Sequence, residues 1–507
     1  MPPADVATAP PAVPAPASPG LMARLARVPW PALALLALAV ATLVGFLVYP
    51  TYPNYDSYYS LLWGREVLHG HLPSFDEYRS PTEHPLAVAF GALLSLLGRG
   101  GDRVMVFCTE ASFVVLCAGV YRLARTAFTP LVGLAAAGIL CTRFDFPFLA
   151  ARAYIDIPYL AFVVWAAALE LDRPRRGGIV WVLLACAGLL RPEAWLIIGL
   201  YFLWMCSGEL GPGHDARERL LRWIRYAAWA AVGPVVWVIT DFVATGHPLF
   251  SLQHTSGLAE ELGRTKGLSE VPASMQRFFL NLAKAPVLYA AVAGFLLAVW
   301  MVPRRAIMPT VLWLVGTGTF VLVGVAGLSV IDRYLLVPTL MVMVFAAVAL
   351  AGWTMLREGL LIRRVWAVAA GLIVVYGVVF TATRVNFHNF DGELRLRGQS
   401  HESLVALLDR PDVRAAATRC GPVSTPTHKL IPDTRWILGA SANEVLARAD
   451  KANAARTRKG LALYVVDRGA LLRQALVATT DDPFDNVPLP NFTRLGFTDY
   501  YAAYVGC

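Results

Sequence analysis

A few ionisable residues stand beside long apolar runs, where a chain of this kind should carry few. Asp56 falls within Tyr52-Pro-Asn-Tyr-Asp-Ser-Tyr-Tyr59, a few residues past the first apolar segment. Asp156 opens another apolar segment in Arg152-Ala-Tyr-Ile-Asp-Ile-Pro158. Glu83-His84-Pro85-Leu86 closes a polar stretch, and Arg191-Pro192-Glu193 interrupts an apolar one. His247 lies in Thr245-Gly-His-Pro-Leu249, and Asp332-Arg333-Tyr334 precedes a late apolar run. A charge at membrane depth costs about 2.5–3.5 kcal/mol on insertion scales, so a retained one marks function or pairing. A carboxylate can deprotonate a hydroxyl. Arginine binds phosphate, and a Glu/His pair can hold a divalent ion that offsets charge on a leaving group. Together these residue types suit a phosphate-bearing lipid substrate.

Each residue also has a structural reading. Asp56 and Asp156 sit where an aspartate caps a helix, with Pro158 near the first turn. Glu83-His84 suits a turn before Pro85, and His247 a loop before Pro248. Arg152 and Arg191 can snorkel or pair with nearby acids, and Asp332-Arg333 can be a local ion pair. The functional reading requires segments a hundred or more residues apart to bring these side chains to one place.

The elements that must do so are apolar helices. Of 507 residues, 57% are apolar and 16% charged, whereas a soluble domain carries about 25% charge. This excludes a water-soluble enzyme, a disordered chain and a disulfide-rich secreted module, and predicts a mainly α, polytopic membrane protein. Of its cations, lysine occurs only at 266, 284, 429, 451 and 459, an arginine bias that fits a high-GC bacterium. The net charge of +9 sits largely in short loops and reads as topology, not nucleic-acid binding. Gly-Arg-Gly-Gly-Asp at 98–102 is a turn and lacks the parts of a nucleotide loop.

Residues 1–29 read as a disordered cytoplasmic tail. Residues 30–384 form the transmembrane domain, with helices near 30–49, 104–121, 127–144, 155–171, 179–190, 193–206, 226–244, 284–302, 307–329, 335–353 and 365–383. The expected count is about eleven. Placing the basic loops inside requires 179–206 to be a re-entrant pair broken at Arg191-Pro192. Residues 86–97 are too short to span and are expected to lie as an interfacial helix on the outer side. The N-terminus is then cytoplasmic, and residues 385–507 form an extracytoplasmic α/β domain. Helices are expected there near 400–417 and 443–456, and strands at 420–424, 461–467 and 500–506. Cys420 and Cys507 are the domain's two cysteines and are expected to pair in that oxidising compartment.

Asp56 after the first helix, Glu83-His84-Pro85-Leu86, Tyr154-Ile-Asp-Ile-Pro-Tyr-Leu160, Arg191-Pro192-Glu193 and Arg333-Tyr-Leu-Leu336, in that order and spacing over roughly 30–340, resemble the GT-C superfamily of membrane glycosyltransferases. Relatives include the protein O-mannosyltransferases and the lipid A aminoarabinose transferases. The resemblance implies a plasma-membrane enzyme that moves a hexosyl or pentosyl group from a polyprenyl-phosphate donor. The acceptor would be an envelope glycan, lipid or protein on the extracytoplasmic face, and the reaction inversion by direct displacement. It implies Asp56 as general base and Asp156 as a second catalytic acid. Glu83 would match a metal-ligating acid, with His247 as its candidate partner for a divalent ion. Many relatives place a lysine and a second proline after that acid, so here His84, Arg152, Arg191 or Arg333 must supply the phosphate contacts. The paired acids sometimes found in the first loop are absent, since Ser57 follows Asp56. Two other functions compete: a secondary transporter, for which the second half lacks a matching helix break, and a non-catalytic assembly subunit.

Overall fold

The computed structural model describes residues 30–210, 215–261, 263–384, 387–474 and 485–507. The tail expected over 1–29 lies outside the described residues. The chain begins with α1 (Trp30–Val48), α2 (Tyr55–Leu68), α3 (Pro85–Ser95), α4 (Gly101–Ala127), α5 (Pro130–Cys141), α6 (Asp145–Ala151) and α7 (Asp156–Asp172). It continues with α8 (Ile179–Leu190), α9 (Ala194–Gly208), α10 (Ala216–Thr245), α11 (Phe250–Glu261), α12 (Val271–Leu282), α13 (Ala285–Met301), α14 (Pro303–Val325), α15 (Leu336–Ala351) and α16 (Leu361–Arg384).

The expected count of eleven spanning helices is not confirmed. By length and composition, six helices among the described residues can cross a membrane, or eight if each of two bent pairs is one span. The reason is geometric. The 127–144 segment breaks after α5 and bends by 66° into α6, and α12 meets α13 at 101°. The twelve residues of α8 reach only about 18 Å. Helices α8 and α9 form an antiparallel hairpin: Trp195 Nε1 donates to the Gly188 carbonyl near the tip, and the rings of Trp181 and Tyr201 lie 4.7 Å apart towards the base. The break falls at Arg191–Glu193, where Pro192 denies the helix its amide donor.

Burial separates the helices by role. The segment containing α15 has 89% of its apolar window inside the protein, whereas α1 has none and α16 6%. Thus α15 is the central post and α1 and α16 are peripheral. The segment 86–97 forms α3, which packs on α2 without side chains between them. A Cβ on Gly64 would strike Ala92 N, and one on Gly91 would strike the Ser60 carbonyl oxygen. This close approach fixes α2 relative to the Glu83-His84 turn that precedes α3.

Past α16 come α17 (Phe387–Leu408), α18 (Pro411–Arg419), β1 (Val423–Thr425), α19 (Ile431–Leu438), β2 (Val445–Ala447), β3 (Gly460–Val465), α20 (Arg468–Gln474), β4 (Thr493–Phe497) and β5 (Tyr501–Gly506). The sheet order is β2-β1-β3-β5-β4. Strand β1 runs parallel to β2 and β3, while β5 is antiparallel to β3 and β4. Strands β1, β2 and β3 are buried throughout, as strands covered on both faces must be. Residues 443–456 are not the expected helix. Val445–Ala447 pair in register with Val423–Thr425, and buried Arg448 donates to the carbonyls of Ser424, Leu463 and Asp485. Cys420 and Cys507 are disulfide-bonded, tying the end of α18 to the end of β5.

Candidate active site

Asp56 lies in the first turn of α2 but does not cap it. Asn54 is the cap, its side-chain oxygen accepting from the amides of Asp56 and Ser57. The loop is anchored to the chain before α7: Asn54 N donates to the Arg152 carbonyl and Ser57 Oγ to the Ala153 carbonyl. Ala153 takes a positive φ of 53°, a costly conformation for a residue with a Cβ. The two acidic segments are therefore stitched together by backbone groups.

Asp156 opens α7 as its first residue, with Ile155 at the cap. Its carboxylate is fully buried and pairs with Arg191 at 2.5 Å from the tip of the α8–α9 hairpin. Arg191 also donates to Glu193 at 2.9 Å. Arg333, in the turn before α15, places Nη1 3.4 Å from Asp56 Oδ2 and 3.5 Å from Asp156 Oδ2. One guanidinium thus spans two carboxylates a hundred residues apart, with the Tyr154 ring 5.6 Å below it. Both aspartates also lie at helix N-termini, where the helix dipole favours a negative group.

His84 belongs to this cluster. Burial, with Arg191 and Arg333 nearby, lowers it to about 3, so its imidazole is neutral and offers hydrogen bonds without positive charge. Its ring meets Trp237 edge-on at 5.8 Å. Arg152 is placed elsewhere. Its guanidinium lies 3.7 Å over Tyr52, whose other partner is the stacked ring of His401 at 4.3 Å, and it acts on Asp433 of the C-terminal domain.

Glu83 and His247 are not joined into a metal site. Buried Glu83 accepts a hydrogen bond from Thr240 and lies against Asp241. Burial, partly offset by the Thr240 hydrogen bond and assisted by the Asp241 carboxylate, raises it to about 8. A carboxyl held protonated at neutral pH is a poor cation ligand. Asp241 is in turn held by the amide and hydroxyl of Ser251. His247 stands on the turn after α10, exposed. The histidine that reaches the first loop is His254 on α11, whose Nε2 lies 2.9 Å from the Ser80 carbonyl. Among the described residues, no group of three or more His, Cys, Asp or Glu side chains is arranged to hold a metal ion. Asp56 and Asp156 already have arginine partners. The residues present do not fit a divalent ion.

Arg264 also faces the cluster, within electrostatic reach of Asp56, Arg333 and Tyr334. Its loop is pinned to the chain that leads into Arg333. Val330 N donates to the Thr265 carbonyl at 2.9 Å, and Lys266 bridges to Ser329. The sequence reading missed it, because a basic residue in a short polar loop carries no signal of its own. Arg264 and Arg333 therefore arrive on two paired segments, on one side of Asp56.

No protein-family model and no curated protein matches the sequence. Among solved structures, the chain is similar to ArnT from Cupriavidus metallidurans in the apo state, with 13% identity and a TM-score of 0.52, over 93% of this chain and 97% of that one. It also aligns with the oligosaccharyltransferase of Archaeoglobus fulgidus, at 13% identity and a TM-score of 0.49. That alignment covers 83% of this chain and 64% of the archaeal one, so this chain spans under two thirds of it. The fold of this chain is therefore similar to that of ArnT over most of its length.

Proposed function

We propose that this protein is a membrane glycosyltransferase that moves a sugar from a polyprenyl-phosphate donor to a hydroxyl of an envelope acceptor. The single observation that carries this reading is the convergence of Asp56 and Asp156 on Arg333. It supplies an acid–cation–acid arrangement at one end of a bundle with a glycosyltransferase fold.

The roles follow from position. Asp56 is the more accessible acid, with about a quarter of its side chain exposed, while Asp156 has none. Asp56 takes the proton from the acceptor hydroxyl. The oxygen attacks the anomeric carbon, the bond from that carbon to the donor's phosphate oxygen breaks, and polyprenyl phosphate departs with one more negative charge. Arg333 and Arg264 receive that charge, since a preorganised guanidinium costs no reorganisation as charge develops. Asp156 holds Arg191 and Arg333 in place, and Glu193 holds the other side of Arg191. His84 donates as a neutral group to a phosphate oxygen. The donor's prenyl chain remains in the bilayer, the N-terminus is cytoplasmic, and the charge cluster and C-terminal domain share the extracytoplasmic side.

The test is a strain carrying Asp56→Asn. The reading requires loss of an envelope glycan, with lipid-linked donor accumulating and protein abundance unchanged. Unaltered glycans with a defect in uptake or efflux would instead identify a transporter.

A further inference from the structure

A furrow on the outside of the bundle runs along α4 and ends in charge. Helix α4 is long and apolar enough to cross a membrane. Its first turn lies beside the first loop, where Tyr58 Oη donates to Asp102 Oδ2 at 3.2 Å. Arg122 follows about twenty residues later, roughly 30 Å along the helix, which is the depth of a bilayer core. Arg122 and Arg125 therefore stand at the membrane face opposite the Asp–Arg cluster.

The furrow is apolar for most of its course. Ser112 and Val115 on α4, Ala161 and Phe162 on α7, and Ile179 and Leu183 on α8 line a cavity of about 340 Å³. Ser112 and Ala161 are too small to fill the space between the helices. Val115 and Ile179 leave it open to the outside, each nearly half exposed. Trp165 stands directly on the α4 backbone: a Cβ on Gly119 would meet its ring at 2.9 Å, and its Nε1 donates to the Val115 carbonyl at 2.8 Å. The same ring borders a second cavity of about 350 Å³, whose lining includes Tyr121, Arg122, Arg125, Thr126 and Asp172. The apolar and charged cavities adjoin at that ring.

Only part of the charge is matched. Asp172 accepts from Arg122 Nε and from Thr126 Oγ1, each at 3.0 Å, so Arg122 and Asp172 cancel. Arg125 is exposed and makes no ion pair among the described residues. The loop after α7 adds Arg173, Arg175 and Arg176, and Arg176 acts on Asp172. The other acid, Glu170, takes neutral donors, the amides of Arg175 and Arg176 and the side chains of Tyr201 and Trp204. This end of the bundle thus carries a cationic surplus, and a surplus of arginine favours a phosphate.

Depth and charge together name an occupant. From Arg122 back to Ser112 is about ten residues, roughly 15 Å, half of the bilayer core. The apolar part is one leaflet deep, with Trp165 and Tyr121 at its polar end, where an interfacial belt places such rings. An acyl chain under an anionic headgroup matches it. The donor's phosphate does not, because it belongs beside Arg333 and Asp156. Asp156 and Asp172 are the two ends of α7, about 24 Å apart by helix rise.

We propose that the furrow between α4, α7 and α8 binds an anionic phospholipid of the leaflet opposite the Asp–Arg cluster. Arg125 holds the headgroup, joined by Arg122 Nη1, which takes no part in the bonds to Asp172. One acyl chain lies along Val115 and Phe162. The site stands whether or not Asp56 is the base.

The test uses the full-length protein in detergent micelles, native mass spectrometry and two probes, palmitoyl-oleoyl phosphatidylglycerol and palmitoyl-oleoyl phosphatidylcholine. Phosphatidylglycerol is expected to bind saturably and phosphatidylcholine about tenfold more weakly. Arg125→Gln is expected to lower phosphatidylglycerol affinity about fivefold, with Tm in lipid-free micelles unchanged, because its removal strands no partner. Arg305→Gln removes the same charge from an exposed position on α14 and is expected to leave binding unchanged. Val115→Trp fills the furrow from an exposed position and is expected to weaken both probes. Equal binding of the two probes, no binding of either, no loss in Arg125→Gln, an equal loss in Arg305→Gln, or full binding in Val115→Trp overturns the site.

Discussion

Two pairs of carboxyl groups flank the same helix bundle and differ in what they face. Asp56 and Asp156 share a guanidinium, and Asp156 has a second from Arg191. Glu83 and Asp241 face neutral donors instead, the Thr240 hydroxyl and the amide and hydroxyl of Ser251. Glu83 holds its proton up to about pH 8. A carboxyl buried with neutral donors keeps its proton and becomes a strut, whereas one facing a cation can exchange its partner for substrate. The paired Asp–Arg cluster is thus the candidate for chemistry proposed above. The Glu83–Asp241 pair joins the end of the first loop to α10 and α11.

The sharpest break of this comparison comes from the aspartates. Asp56→Asn should lower transfer by about a thousandfold while the protein accumulates normally, because a general base contributes about 10²–10⁴. Asp156→Asn should behave differently: removing one partner of a buried ion pair costs about 3–5 kcal/mol, so folded yield should fall together with activity. Transfer measured against the amount of folded protein separates the two. Equal loss of abundance in both variants would make Asp56 as structural as Asp156.

Arg333→Lys tests whether the cation is a point charge or a bridge. Both carboxylates face the single nitrogen Nη1, so a lysine ammonium keeps the charge but loses the guanidinium's further N–H donors and its fixed orientation. Transfer should fall by about ten- to a hundredfold, with a smaller effect on stability than Asp156→Asn. Activity near wild type would show that charge alone suffices. Removing divalent cations with EDTA should leave transfer unchanged, because arginines occupy the positions facing the acids and Glu83 is protonated. A reversible loss of activity on chelation would contradict that assignment.

The residues of the Asp–Arg cluster were legible because charge in an apolar chain is conspicuous. Asp56, Asp156, Arg191 and Arg333 stand out without any tertiary knowledge, and their order carried the fold resemblance. Pairing was not legible. His247 drew attention through its His-Pro loop, yet the histidine that reaches Ser80 is His254 on the face of α11. Only packing decides which face turns inward. Asp241 is one polar residue near the end of a long apolar helix, and its proximity to Glu83 depends on how α10 leans on the first loop. The span count was not legible because hydropathy records apolar length and not direction. The 66° and 101° bends lie inside stretches that read as continuous or as separate spans with equal ease. In the C-terminal domain, Val445–Ala447 became a strand because β1 offered it a parallel edge. That bond exists only once the sheet has formed.

The smallest effect concerns the strut, and its sign can be worked out. Glu83 has an unperturbed value of 4.5 and about 8 in the folded protein. Between those values the folded state binds more protons than the unfolded one, so stability must fall as pH rises. The stabilisation is complete below about pH 4.5 and has been lost by about pH 8. Glu77 and Asp433, each raised by burial to about 7, contribute in the same direction over a slightly narrower window. Glu83→Gln keeps a neutral side chain able to donate to Asp241 and to accept from Thr240, and it cannot ionise. The variant should therefore show a shallower decline of Tm between pH 5 and pH 8 than the parent, with Glu77 and Asp433 still pulling in the same direction and the buried neutral histidines His84, His401 and His428 opposing them below about pH 6.5. Its transfer activity at neutral pH should stay close to the parent's, because its carboxyl takes no part in the Asp–Arg cluster. An unchanged Tm slope would mean that Glu83 is ionised across this range. A large loss of transfer at unchanged Tm would move Glu83 from the strut to the chemistry, and the contrast between the two carboxyl pairs would collapse.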